Sequence, residues 1–561
     1  MEGWADRKPG AMNEHATLSA IDYTVFFAYI ALSLLLGFAV ARNARRKPQD
    51  YFLGEKKLPW YVVGTSMVSS DISSEHFIAN VGIAYLYGMV AATGSWNAWI
   101  IYSIFLFVFL PYYVRTGLYT MPQFLERRYN AACRYLYSFA LVIGYIATLL
   151  AGSLYAGGLA IESMFGFQMT GDHNTDVMWG IVFYAVVTGA YTIYGGMKSS
   201  AWTDFLQMMV MLVAGILLPI LALRKTGGLA QLAHDFPEKF DMFLPPTHEQ
   251  FPWTGVFTGF LTVGLWYTCA SQHIVQRVLS AKDEWHARMG VVSAGLLRIL
   301  TPLFFVIPGI AACKLFPELE ASHRQDQAYL LLVQTLVPTG LKGLVLAGMA
   351  AALMSTVSTV LNSTSALLTI DLYKTLLRPA ASDREQVVFG MAAGIVVLTL
   401  SIFIAFLYIE SPEALFRLVQ RVFFWIAPPF AVVFLLGLLW RRATGTAAVV
   451  TIVSGFVFRM IIEWVVWPRL PSLRDYQAAY QHGALITWLF CMLVMVAGSL
   501  LTHPPRGEQT QGVIWNRSYL HLPPDERTRY RGWKNYMVWW FVFVAMVLSL
   551  YGFFLWFDLS R

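Results

Sequence analysis

Apolar runs of about 20 residues follow one another along nearly the whole chain, and a run of that length crosses the hydrocarbon core of a bilayer as one helix. Candidate spans cover 21–42, 58–84, 89–113, 135–165, 177–194, 201–223, 253–279, 290–316, 341–377, 387–408, 412–440, 446–467, 484–501 and 536–557. Composition agrees with that reading. Hydrophobic residues make up 57% and charged residues 13% of the chain, against about 25% charged in soluble domains. Nineteen tryptophans suit a protein whose rings anchor at two membrane interfaces. The expected fold class is an all-α polytopic membrane protein with about 14 transmembrane helices.

The net charge of +7 does not mark a nucleic-acid partner, because the cations sit in alternate loops rather than in one patch. RNARRKPQD, FLERRYNAACR, GGMKSS, QRVLSAKDEWHAR, YKTLLRPAASDR, WRRAT and the stretch 503–534 are basic, whereas GFQMTGDHNTD and YIESPE are not. The positive-inside rule places the basic set in the cytoplasm and both termini outside, in a plasma (bacterial inner) membrane. No cleavable signal peptide is expected: the first run is full length and is followed by Arg42, Arg45, Arg46 and Lys47. The polar stretch 1–20 reads as disordered and extracytoplasmic, with Met12 as a second candidate start. No loop holds enough apolar residues for a core of its own. No GxxxxGK[ST] sequence links the chain to ATP, so active transport would draw on an ion gradient. Cys133, Cys269, Cys313 and Cys491 are isolated and read as buried thiols.

Polar groups at membrane depth are costly, by about 2.5–3.5 kcal/mol for a charge even on lenient scales, so each is a functional candidate. They are Asp71, Glu75 and His76 in the second span, Asp204 in the sixth, Arg298 in the eighth, and Arg417, Gln420 and Arg421 in the eleventh. In the ninth, Ala352, Ser355, Thr356, Thr359 and Ser363 recur at three- and four-residue spacing and share one face. Such a face serves close helix packing or holds a hard monovalent cation through hydroxyl and carbonyl oxygens. The second span carries VSSDISSEH at its middle, and serine and aspartate there compete with the helical backbone. A break would free carbonyls, which is tolerable at depth where they line a cavity or bind an ion. Five spans later the seventh is interrupted in turn, at Gly264 and the polar run 268–273, as an inverted five-plus-five repeat requires.

At these residues the sequence resembles the sodium/solute symporter family across nearly its whole length. The resemblance rests on YTIYGGMKSSAWTDFLQ, QRVLSAK, MSTVSTVLNSTSALLTIDLY and FLLGLLWRRAT, in order and at matching separations. It implies a LeuT-type core of two inverted five-helix repeats with extra helices. The chain would divide into 1–20, an extra N-terminal helix and basic loop at 21–57, a first repeat at 58–224, a second repeat with its preceding loop at 225–442, and additional helices at 443–561. The coupling ion implied is sodium, held by the carbonyls of Ser69, Ile72 and Ala352 with the hydroxyls of Ser355 and Thr356. Asp204, Ser358 and Thr359 match a second sodium position of some members; a charge pair between Asp204 and Lys198 is the competing reading of that aspartate.

The substrate set implied is Asp71, His76, Asn80, Ser95, Tyr267, Arg298 and Gln420. Tyr267, His76 and Gln420 match the sugar branch of the family. Ser95, Gly264 and Arg298 depart from its hexose carriers, and Asp71 matches the proline branch. His76 would bond a substrate hydroxyl, pair with Glu75, or bond a neighbouring backbone group. The expected function is sodium-coupled import of a small polar organic solute, a sugar or polyol first and an amino acid or carboxylate such as proline second. A membrane-embedded enzyme using Asp71, Glu75 or His76 is a remote reading, since no metal motif or nucleophile accompanies them. Sensor members carry cytoplasmic signalling domains, which have no counterpart in these residues. No nucleotide or nucleic-acid partner is expected.

Overall fold

A computed structural model of the chain is helical nearly throughout. It describes residues 18–41, 47–73, 76–165, 170–248, 250–321, 325–410, 412–469 and 480–559. The expectations for 1–17 and for Glu75 lie outside the described residues. The principal helices are α1 (Ala20–Val40), α2 (Trp60–Asp71), α3 (Val81–Thr116), α4 (Ala131–Glu162), α5 (His173–Thr226), α6 (Trp253–Cys269) and α7 (Gln272–Leu279). They continue as α8 (Glu284–Leu315), α9 (Lys342–Leu377), α10 (Asp383–Ile409), α11 (Pro412–Leu439), α12 (Gly445–Val466), α13 (Tyr480–Leu501) and α14 (Tyr536–Leu559). Among the described residues, eleven helices are long and apolar enough to cross a membrane. The chain is thus a multi-pass membrane protein.

Two expected spans are each split. Helix α2 ends at Asp71, and Ile72 is extended (φ −81°, ψ 113°) before a wide turn at His76–Asn80 leads into α3. Helix α6 ends at Cys269, and the extended Ser271 (φ −67°, ψ 137°) starts α7. The second break therefore lies at 270–271, within the polar run, whereas Gly264 sits inside α6 and interrupts nothing. A glycine alone costs a helix only about 1 kcal/mol, too little to break one whose neighbours pack well.

The GGMKSS segment, expected as a loop, is a tight kink: Gly196 leaves the helical region at φ 59°, ψ −147°. Spans 177–194 and 201–223 are two helices, labelled together as α5, and the kink between them lets Gln207 donate to the Tyr191 hydroxyl at 3.4 Å. A Cβ at Gly196 would lie 2.3 Å from the Tyr51 carbonyl oxygen, so the kink is possible because the residue is glycine.

Helix α9 is the most enclosed, packed by α5, α1, α2, α4 and α10. Its small and hydroxylated residues, from Gly343 through Ala366, are buried without exception. Helix α2 lies along α8. Their backbones meet at Gly64, where a Cβ would fall 2.0 Å from Ser293 Oγ and 2.7 Å from the Gly290 carbonyl. Small residues permit such approach between helices in a membrane, where packing rather than water expulsion holds the pair together. All four cysteines are buried and unpaired.

The segment 503–535 forms a strap across the α8 N-terminus. Glu526 accepts the backbone N–H of Trp285 at 2.7 Å and of Glu284 at 3.3 Å. A carboxylate is favoured at that end of a helix, while burial pushes the Glu526 carboxyl up from its ordinary pKa. Trp285 stacks on Tyr530 with centroids 4.0 Å apart and donates to the Lys534 carbonyl at 2.7 Å. Arg288 donates to Glu284, to the Tyr519 carbonyl and to the Tyr536 hydroxyl, the last two at 2.6 Å. Arg115 from α3 joins Glu284 at 2.7 Å and the His521 carbonyl at 2.6 Å.

Candidate ion and solute site

The two helix breaks satisfy their freed carbonyls differently. At the second, the Tyr113 hydroxyl donates to the Cys269 carbonyl and the Tyr137 hydroxyl to the Ala270 carbonyl, each at 2.9 Å. At the first, the carbonyls of Ser70 and Ile72 meet the Thr356 hydroxyl at 3.5 and 3.4 Å, and the Ala352 carbonyl lies 3.1 Å from that hydroxyl. Three carbonyl oxygens and one hydroxyl oxygen therefore converge across α2 and α9, an all-oxygen set suited to a hard cation. The Ser69 hydroxyl is buried with no hydrogen-bond partner among the described residues. The Ser355 hydroxyl does not join this group; it donates to Asp204 at 2.9 Å.

Asp204 is fully buried on α5 and accepts from Ser66 at 2.6 Å, Ser355 at 2.9 Å and Ser358 at 3.3 Å. Ser358 also bonds Ser200 at 3.1 Å, and Thr359 bonds Ser70 at 2.6 Å. Into these oxygens reaches the guanidinium of Arg277, 3.4 Å from Asp204 and 2.8 Å from Ser200, and bonded to Thr359. The alternative pairing of Asp204 with Lys198 is overturned, because Lys198 pairs with Glu55 at 2.9 Å near the end of the short helix after α1. The hydroxyl face of α9 serves helix packing and polar bonding together: Ser355, Thr356, Thr359 and Ser363 all bond groups on α2, α5 or α7.

Arg277 was missed in the sequence, where QRVLSAK reads as a basic loop. Its signal was the break itself. A chain that interrupts a span at 270–271 still has α7 to place, and all eight residues of α7 are buried.

Beside this lies a second polar group, drawn from four helices. Asp71 at the end of α2 forms an ion pair with Arg298 of α8. The Tyr102 hydroxyl of α3 accepts from Arg298 at 3.5 Å, and its ring lies under the guanidinium at 6.0 Å. The Tyr267 hydroxyl of α6 faces the Asp71 carboxylate. His76 accepts the Ser73 N–H at Nδ1, 3.2 Å away, and its ring tilts against Phe305. It bonds locally, as one of its three sequence readings had it. Ser95 accepts from Thr301, one turn beyond Arg298, at 3.2 Å.

Asp71, Ser73, His76, Tyr267 and Arg298 keep partial access to solvent, while Val68, Ser69, Ser70, Ile72, Trp266 and Thr268 beside them are buried. Asn80 is half-buried at the start of α3 and makes no hydrogen bond to the pair among the described residues. The Gln420, Arg417 and Arg421 side chains lie outside the described residues.

Comparison with known proteins accords with this arrangement. Residues 51–455 match the model of the sodium:solute symporter family. The sodium/glucose cotransporter of Vibrio parahaemolyticus is 32% identical over 87% of this chain and 92% of its own length. The sodium/mannose cotransporter of Bos taurus is 32% identical over 91% and 92%, and the sodium/myo-inositol cotransporter of Homo sapiens 30% over 90% and 77%. Among solved structures, a substrate-bound, outward-open Na+-coupled sialic acid symporter superposes with a TM-score of 0.75 at 22% identity, over 87% of this chain and 99% of that one. Fold and sequence agree on one conclusion: the chain belongs to the sodium:solute symporter family.

Proposed function

We propose that this protein imports a small polar organic solute, a sugar or polyol, together with sodium by alternating access. One observation carries the reading: the carbonyls of Ser70, Ile72 and Ala352 and the Thr356 hydroxyl converge where α2 breaks against α9. Sodium at that position ties the broken helix to its partner and favours the state that admits solute. Ser69 and Ser355 flank the site, Ser355 linking it to Asp204. Asp204, Ser358 and Thr359 form a second cation position, which the Arg277 guanidinium serves in this conformation. The solute binds among Asp71, His76, Asn80, Ser95, Tyr267, Arg298 and Gln420. Names of the relatives favour sugars and polyols over amino acids.

The machine is organised as two inverted five-helix repeats of LeuT type, at 58–224 and 225–442. Flanking helices bring the spans to about 14. It sits in a bacterial inner membrane with both termini extracytoplasmic. A membrane potential supplies about 2.3 kcal/mol per charge per 100 mV, so one sodium gives useful concentrating power. We assign no enzymatic reaction.

Proteoliposomes with an imposed sodium gradient test the coupling. Labelled sugar or polyol is expected to accumulate with sodium outside and not with potassium. Thr356→Ala is expected to raise the half-saturating sodium concentration by about tenfold, the loss of roughly one oxygen ligand, while Thr356→Ser stays near wild type. Uptake indifferent to sodium, or unchanged in both Ser355→Ala and Thr356→Ala, would sink the assignment.

A further inference from the structure

Asp71 and Arg298 are the residues that kept an amino acid or carboxylate substrate open in the sequence, and the fold joins them to each other. Resting on the reading above, we propose that this pair is a charge filter. Each charge cancels the other, so the site accepts neutral polyhydroxylated solutes and turns away acidic and basic ones.

The pair has the chemistry for it. Arg298 and Asp71 side chains are 17% and 12% exposed, so the pair is open to a solute on one side and largely dehydrated on the other. In such a place an unpaired charge is costly. The pair still leaves bonding capacity toward a solute. Arg298 Nε is buried with no partner among the described residues, and a carboxylate has more lone pairs than one guanidinium contact uses. A donor beside an acceptor matches two neighbouring hydroxyls of a ring, each of which donates and accepts. Tyr102 and Tyr267 frame the pair from either side with neutral hydroxyls. His76 takes an N–H at Nδ1 and so brings no second cation. Asp204 and Arg277 are engaged with each other. Among the described residues, no third charge joins Asp71 and Arg298.

A solute carboxylate would have to compete with Asp71 for Arg298 and strand the aspartate. A solute ammonium would strand the arginine. Both outcomes leave a buried charge without its partner, the usual means by which a site discriminates against a close analogue.

The test compares glucose and myo-inositol with glucuronate, which adds a carboxylate to the same ring, and with glucosamine, which adds an ammonium. Uptake is measured in proteoliposomes under a sodium gradient. Wild type is expected to concentrate a neutral solute and neither charged one. Asp71→Asn leaves Arg298 unpaired and is expected to raise the glucuronate-to-glucose ratio by about tenfold or more. Arg298→Gln is expected to raise the glucosamine ratio by a similar factor, and the double variant to return to neutral preference. Should one single variant misfold, the other reads the opposite charge.

Wild type that carries glucuronate as readily as glucose, or ratios unmoved by both substitutions, would overturn the filter. The same solutes are then added to purified protein and the thermal midpoint is followed. Stabilisation by glucuronate in Asp71→Asn but not in wild type supports the filter even where no hexose uptake is seen, an outcome that removes only the sugar reading. Absence of that difference removes the filter.

Discussion

Arg277 shares a dehydrated cluster with Asp204 and the hydroxyls of Ser66, Ser200, Ser355, Ser358 and Thr359, so removing either charge strands the other. Breaking a buried pair from one side costs about 3–5 kcal/mol, whereas replacing both partners is nearly neutral. Arg277→Gln is therefore expected to lower the thermal midpoint of the purified protein by several degrees, and Arg277→Gln with Asp204→Asn to recover most of the loss. A double variant as unstable as the single one would show that the arginine acts through something other than the aspartate. At this scale much was legible. Ser355, Thr356, Thr359 and Asp204 declared themselves by helical spacing and by the cost of a carboxylate in lipid; Ser355 meets Asp204, while Thr356 meets the carbonyls at the break of α2. The arginine was hidden because cations after a span are ordinarily solvated, and only the fold turns this one inward. The meeting of Asp71 with Arg298 was hidden for a different reason: no local pattern relates two residues on helices so far apart in the chain.

The helices themselves follow from the apolar runs, and their irregularities from short polar or glycine-containing stretches within them. SSDISSEH breaks a span because its side chains compete for the backbone. The second interruption falls at Ala270–Ser271 because Tyr113 and Tyr137 wait there to receive the freed carbonyls. The local sequence offers both Gly264 and the polar run 268–273, and the two tyrosines that select a point within the run come from other helices. The kink in α5 falls within GGMKSS, the stretch that reads as a loop, and is where its two helices part. It depends on Gly196 facing the Tyr51 backbone. Gly196→Ala is expected to cost roughly 2–3 kcal/mol, from a strained φ/ψ together with a backbone clash, seen as a lower midpoint and reduced yield. An alanine variant of wild-type stability would mean that the kink does not depend on glycine, nor does the placement of Asp204 about two turns further on.

Across the whole molecule, the strap at 503–535 adds a tie at the rim between helices that already pack on each other in the core. It binds the N-terminal turn of α8, the helix whose middle carries Arg298, and it reaches α3 through Arg115. The strap was legible only as a basic loop, because its partners are backbone groups exposed by the end of a distant helix. Any rocking of α8 must either carry this segment along or pull Glu526 away from Trp285. That gives the protein a built-in reporter. Arg527, Arg529 and Arg531 are exposed beside the Glu526 and Tyr530 contacts, and trypsin cuts there only as fast as the segment loosens. Sodium is expected to change the rate of cleavage at these arginines several-fold, and Glu526→Ala to make it fast with or without the ion. An equal rate in sodium and potassium would mean that the strap and α8 travel as one body. Where the two rates differ, a protease acting at the rim of the protein times a rearrangement in the middle of the membrane, with no label attached.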